Sequence, residues 1–244
     1  MKKPIIGVPL RYEHLEERPI LYLGERVRRT LQKAGGEIFS LVPVQDVDYV
    51  DTKGTEFKPL TIEEKEIINK NLDQCDGLFL PGGNKFTPYD RYILELAIEK
   101  KIPTLAVCLS MQMMSCYDEE INLFPVEKGN HDQKNDKLSL SHKVIINKDS
   151  KLYNIIGKEE IMVNSFHNYH ATPNHIYKIT AMSEDGLIEA LEYPSKTFNL
   201  GLQWHPEISY DFDEPSKKII DTFIMEATKN MNIKLKENNE LIKN

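Results

Sequence analysis

The sequence predicts an α/β fold: a mainly parallel central sheet with helices on both faces and a strand-rich second half. Three observations carry this. Short apolar runs bounded by Gly or Pro alternate with helical stripes as far as residue 114. Hydrophobic residues make up 40% of the 244, enough for a full core. Beyond Asn130 the texture changes to strand-like pieces. Strands that alternate with helices need crossover connections, and these place a parallel sheet between two helical layers.

The elements follow in order. Ile5 to Leu10 reads as a buried strand. Ile20, Leu23, Val27, Leu31 and Ala34 recur at helical intervals, and Gly35-Gly36 offers the left-handed residue that stops a helix. Glu37–Val42 is a second strand, and 44–60, without periodicity, is a loop. Thr61 and Glu64 have the spacing of a capping box at the head of another helix. Gly77–Leu80 is a short strand that runs into Pro81-Gly82-Gly83, Tyr89–Lys100 is a helix, and Ile102–Val107 is a strand. The later pieces are Leu138–Ile146, Glu160–Val163, Ile176–Met182, Leu187–Leu191 and Phe198–Gln203. A last helix runs from Pro215 to about Ala227, and the Lys- and Asn-rich remainder is expected to fray. One domain over 1–230 with a polar tail over 231–244 is the economical organisation.

Composition excludes several classes of function. Thirty-one Lys and Arg against 38 Asp and Glu leave a net charge of −7, the wrong sign for a nucleic-acid footprint. No apolar run approaches the roughly 20 residues of a bilayer span. Met1–Leu10 lacks the apolar stretch and cleavage site of a secretory signal, so a cytoplasmic protein is expected. The three cysteines, Cys75, Cys108 and Cys116, are odd in number and lack zinc-ligand spacing, which fits reduced thiols.

Three segments carry chemistry. Cys108 falls between the strand Thr104–Val107 and a helix-compatible stretch from Leu109 to Met114. A nucleophile at such an elbow is lifted to the strand's C-terminal end, where free helical N–H groups favour a thiolate and a developing oxyanion. His205, in Gly201-Leu-Gln-Trp-His-Pro-Glu207, lies just past a strand, and Glu207 stands where it can hold the imidazole's second N–H. Pro81-Gly82-Gly83 ends a third strand and can aim a backbone N–H at an oxyanion; Gly83 and Leu109 would be the two donors. Each has a plainer reading alone: a packed thiol, an ordinary loop, a tight turn.

In this order the three pieces resemble the class I glutamine amidotransferase-like family, and within it the gamma-glutamyl-gamma-aminobutyrate hydrolase type. The resemblance spans most of the chain. It takes in Pro4-Ile-Ile-Gly-Val-Pro9, Asp76-Gly-Leu-Phe-Leu-Pro-Gly-Gly83 and Pro103-Thr-Leu-Ala-Val-Cys-Leu-Ser-Met-Gln112. It continues through His142-Lys-Val, Val163-Asn-Ser-Phe-His167, Asp185-Gly-Leu-Ile-Glu-Ala-Leu-Glu192 and the His205 motif. The Asp185 block favours the hydrolase branch. The resemblance implies a flavodoxin-like fold and a Cys108–His205–Glu207 triad that cleaves a gamma-glutamyl amide through a thioester. It places Gln112, Ser165, Phe166 and His167 near the glutamyl group. It implies no cofactor and no metal, a small gamma-glutamyl substrate as partner, no nucleic acid or membrane, and room for a homodimer.

The chain departs from the family at the elbow, where Ala106 and Ser110 replace glycines two positions before and after the nucleophile. After Ser165 it reads Phe-His-Asn-Tyr169 instead of a double-histidine-Gln pattern. Between Cys116 and His131 a glycine-rich segment is replaced by Tyr-Asp-Glu-Glu-Ile-Asn-Leu-Phe-Pro. Two rival functions share the fold: a glutaminase subunit that supplies ammonia to a synthetase, and a binding protein with weakened chemistry. His131, His142 and His167 read as a polar cluster with Asp132, without metal-ligand spacing. His14, His170 and His175 read as surface or loop residues, Trp204 as a wall of the site, and Met111, Met113 and Met114 as core filler.

Overall fold

The computed structural model describes residues 2–15, 18–45, 58–85, 87–116, 123–127, 131–133 and 138–241. Residues 46–57 of the expected 44–60 loop, and 117–122 of the segment between Cys116 and His131, lie outside the described residues. The first half holds β1 (Ile5–Pro9), β2 (Arg11–Leu15), β3 (Arg18–Tyr22), α1 (Glu25–Lys33), β4 (Glu37–Leu41), α2 (Ile62–Asp73), β5 (Gly77–Leu80), α3 (Pro88–Glu99), β6 (Thr104–Val107) and α4 (Leu109–Ser115). The second half holds β7 (Phe124–Pro125), β8 (His142–Ile146), α5 (Lys151–Ile156), β9 (Glu160–Val163), β10 (Tyr169–His170), β11 (Lys178–Ser183), β12 (Ile188–Glu192), β13 (Asn199–Leu202), α6 (Pro206–Ser209) and α7 (Glu214–Leu241).

Nine strands form one sheet in the order β4-β1-β5-β6-β13-β12-β11-β8-β9. The pairs from β4 to β13 are parallel, and those from β13 to β9 are antiparallel. The expected α/β fold with a strand-rich second half is therefore the fold observed. β5, β6 and β13 are buried along their whole length, as central strands covered on both faces must be. One core cluster packs Ile6, Val8 and Phe79 against Val27 and Leu31 of α1 and Ile219, Ile220 and Phe223 of α7. A second packs Leu78 and Leu80 against Leu72 of α2, Ile93 of α3 and Met111 and Met114 of α4. No helix among the described residues is long and apolar enough to cross a membrane.

Local rules explain most boundaries. Thr61 accepts from the Glu64 amide and the Glu64 carboxylate takes the Thr61 amide, which is the capping box read from the sequence. Gly35 follows α1 at φ +104°, a conformation that costs glycine little. Three boundaries differ from expectation. Ile20 belongs to β3, which pairs with β2 as a hairpin, so its helical spacing to Leu23 is accidental. Lys151–Ile156 is a helix capped by the Ser150 hydroxyl and closed by left-handed Gly157. The last helix continues past Ala227 to Leu241, since Met231 is still buried and Asn230 and Lys234 bond the carbonyls of Asp76 and Cys75.

Candidate active site

Four neighbouring parallel strands deliver their next residues to one end of the sheet. β1 leads into Arg11, β5 into Pro81-Gly82-Gly83, β6 into Cys108, and β13 into Trp204 and His205. The carboxyl ends of parallel strands are where open α/β sheets place their sites.

Cys108 adopts φ 52°, ψ −110°, a left-handed backbone that side chains other than glycine rarely accept. Residues held this way cost on the order of 1–3 kcal/mol and gather at functional sites. Its amide bonds the Leu202 carbonyl at 2.7 Å, and its carbonyl accepts the Gln112 amide of α4 at 3.0 Å, so strand and helix fix the turn from both sides. The elbow therefore forms with Ala106 and Ser110 in place of glycines. Ser110 has a bonding role: its hydroxyl donates to the Pro81 carbonyl at 2.8 Å and accepts from Arg11 at 2.6 Å.

His205 caps α6, and its Nδ1 lies 2.7 Å from Glu207 Oε1. Burial pulls its pKa down, but the Glu207 charge, together with the neighbouring Cys108 sulfur, outweighs burial and lifts it to about 10. Thr30 donates to the Glu207 carbonyl, and Asn164 clamps the His205 backbone on both sides, accepting from its N–H and donating to its carbonyl. Gly82, in the turn after β5, lies against both His205 and Cys108. A Cβ there would stand 3.0 Å from His205 Cε1 and 3.3 Å from Cys108 Cβ.

Cys108 is 8% exposed, and that edge opens into two cavities of about 450 and 460 Å³. Gly83, Leu109, Gln112, Phe166 and His167 line the first, and Phe166 and His205 line the second. The N–H of Leu109, at the first position of α4, has no carbonyl one turn back within its helix. Gln112 reaches the cavity with its amide already committed, donating to the Tyr169 carbonyl and to Gln203 Oε1. The Phe166 ring meets the His205 ring edge-on at 5.6 Å. His167 is buried, which holds its pKa down at about 3, and its Nδ1 bonds the Tyr169 carbonyl.

Two residues sit elsewhere than expected. Ser165 is fully buried, donates to the His131 carbonyl and does not line either cavity; it shapes the loop that presents Phe166. Trp204 lies in the core, 1% exposed, and forms no wall of the site. The imidazoles of His131, His142 and His167 do converge, and the carboxylates of Glu189 and Asp185 bond them, which spacing did not reveal. Sequence reasoning missed Arg11. It donates to the carbonyls of Pro81 and Gly82, to Ser110 and to Asp90, tying the glycine turn to α4 and α3. The available signal was a cationic residue directly after a buried strand at the sheet's carboxyl edge.

Comparison with known proteins identifies relatives of the chain and of its fold. Residues 87–207, which include Cys108, His205 and Glu207, match the family described as Peptidase C26. A Schizosaccharomyces pombe protein named as a candidate glutamine amidotransferase is 30% identical over 176 residues, covering 61% of this chain and 68% of its own. The gamma-glutamyl-gamma-aminobutyrate hydrolase PuuD of Escherichia coli is 23% identical over 262 residues, covering 92% of this chain and 93% of its own. Among solved structures, the glutaminase domain of Trypanosoma brucei CTPS with bound acivicin superposes with a TM-score of 0.63. It is 18% identical and covers 93% of this chain and 94% of that one.

Proposed function

This chain belongs to the Peptidase C26, class I glutamine amidotransferase-like family, and on that premise we propose that it is a cysteine hydrolase that cleaves the gamma-glutamyl amide of a small amine or amino acid. One observation carries the reading: a left-handed Cys108 opens onto a cavity beside an imidazole that Glu207 holds at 2.7 Å. The 92% coverage by a gamma-glutamyl-gamma-aminobutyrate hydrolase supports the substrate class.

The steps follow from the groups present. His205 takes the proton of the Cys108 thiol, and the sulfur attacks as a thiolate. A bond forms from Sγ to the amide carbon, and the carbonyl oxygen becomes an oxyanion facing the N–H groups of Gly83 and Leu109. The C–N bond then breaks, and His205 gives its proton to the departing amine. Water, losing a proton to the now neutral His205, attacks the thioester; glutamate leaves and the thiolate–imidazolium pair is restored. Gln112, Phe166 and His167 line the side where the glutamyl group would lie.

Amidotransferase relatives support a second reading, in which the chain is a glutaminase that passes ammonia to a synthetase. One experiment addresses both. A panel of gamma-glutamyl amides and glutamine is offered to the protein and to Cys108→Ala, and released glutamate is measured. Turnover of gamma-glutamyl amides by the native protein alone is expected. Equal turnover by both proteins refutes the triad, and turnover of glutamine alone, raised by a co-purifying synthetase, selects the glutaminase.

A further inference from the structure

Beside the loop that carries Phe166, three imidazoles converge on one buried carboxylate. Glu189 Oε1 lies 3.0 Å from His142 Nε2, 3.6 Å from His131 Nδ1 and 3.8 Å from His167 Nε2. His131 Nδ1 and His167 Nε2 are 3.2 Å apart. Four ligand atoms held at about 2.0–2.1 Å from a tetrahedral centre stand about 3.4 Å from one another. These four of the six separations bracket that value, and the ligand atoms of His131, His142 and Glu189 all lie within 4.8 Å of one another. Glu189 has no exposed surface, and its second oxygen, Oε2, has no hydrogen-bond partner among the described residues.

The outer faces of the rings point the same way. His131 Nε2 donates to Asp185 Oδ2 at 3.0 Å, and His167 Nδ1 donates to the Tyr169 carbonyl at 2.9 Å. Each bond turns the opposite nitrogen's lone pair inward, the arrangement that metal-binding histidines adopt. Protons alone fill the cluster less well, because two lone pairs then meet across 3.2 Å unless an additional proton joins them.

We propose that His131, His142, His167 and Glu189 bind one divalent transition-metal ion of the zinc class, through three imidazole nitrogens and one carboxylate oxygen. Four protein ligands close the coordination sphere, so the ion serves structure. It ties β8 and β12 to the loop between β9 and β10, whose Phe166 and Asn168 line the cavity at Cys108. The site shares His167 with the lining of the Cys108 cavity but uses none of Cys108, His205 and Glu207.

Cobalt(II) is the probe. Metal-free full-length protein is mixed with Co²⁺, excess ion is removed, bound metal is counted by mass spectrometry, and the visible spectrum is recorded. About one ion per chain is expected, with the intense bands of tetrahedral cobalt, no thiolate-to-cobalt charge-transfer band, and the same result for Cys108→Ala. Glu189→Gln is expected to abolish stoichiometric binding. Asp185→Asn, outside the ligand set, is expected to weaken affinity about 10- to 100-fold and keeps the test decisive where a ligand variant fails to fold. Absence of bound cobalt in the native protein, full binding by folded Glu189→Gln, unchanged affinity in Asp185→Asn, or a thiolate band that vanishes in Cys108→Ala would overturn the proposal.

Discussion

Arg11 and Asp90 form an ion pair at 2.6 Å with both side chains less than a tenth exposed. The pair joins the start of β2 to the first turn of α3, and the rest of the guanidinium holds the Pro81-Gly82 carbonyls and Ser110. The clamp thus connects the turn carrying Gly83 to the helix beginning at Leu109.

Breaking this pair from one side leaves a buried charge uncompensated. Arg11→Met and Asp90→Asn are each expected to cost about 3–5 kcal/mol in urea unfolding. Arg11→Lys keeps the charge but cannot reach both carbonyls, Ser110 and Asp90 together. It should lose less stability and a larger share of kcat. Native stability in Arg11→Met would show that the clamp is idle.

Gly82 is small because His205 and Cys108 both press on it. Gly82→Ala must move one of them by a few tenths of an ångström. A loss approaching 100-fold in kcat is expected, with only a slight fall in Tm. Full activity in a folded Gly82→Ala would place the productive geometry elsewhere.

The three cysteines should separate under alkylation. Burial pushes the Cys75 thiol up to about 12, and Cys116 is 2% exposed, whereas Cys108 opens onto both cavities beside a protonated imidazole. Iodoacetamide at neutral pH should label Cys108 first, and His205→Ala should slow that labelling. Peptide mass mapping that found Cys75 or Cys116 labelled ahead of Cys108 would contradict the site.

The raised His205 pKa ties stability to pH. A folded-state value near 10 against 6.5 unfolded gives stability that is complete below about pH 6.5 and disappears as pH climbs through about 10. Glu207→Gln removes the charge that does most of the raising. Its deficit against the native protein should be largest between roughly pH 5, above the carboxylate range, and pH 6.5, and should shrink toward pH 10. Urea midpoints across that range check it; a deficit that grows with pH would reverse the assignment.

Alternation and punctuation were legible along the chain. The apolar runs at Ile5, Gly77 and Thr104, the Thr61–Glu64 cap, Gly35 after α1, and the nucleophile elbow all depend on neighbours within a few residues, so local chemistry specifies them. His205 and Glu207, two positions apart with proline between, could be paired for the same reason. Arg11, Ser110 as a bonded substitute for glycine, the inward turn of Ser165 and the approach of Glu189 to the three histidines could not. Those partners lie as many as 99 residues apart; parallel crossovers bring Arg11 to Ser110, and the antiparallel order β12-β11-β8-β9 brings Glu189 to the histidines. Periodicity records which face of an element is buried, whereas the strand order of the sheet decides what that face meets.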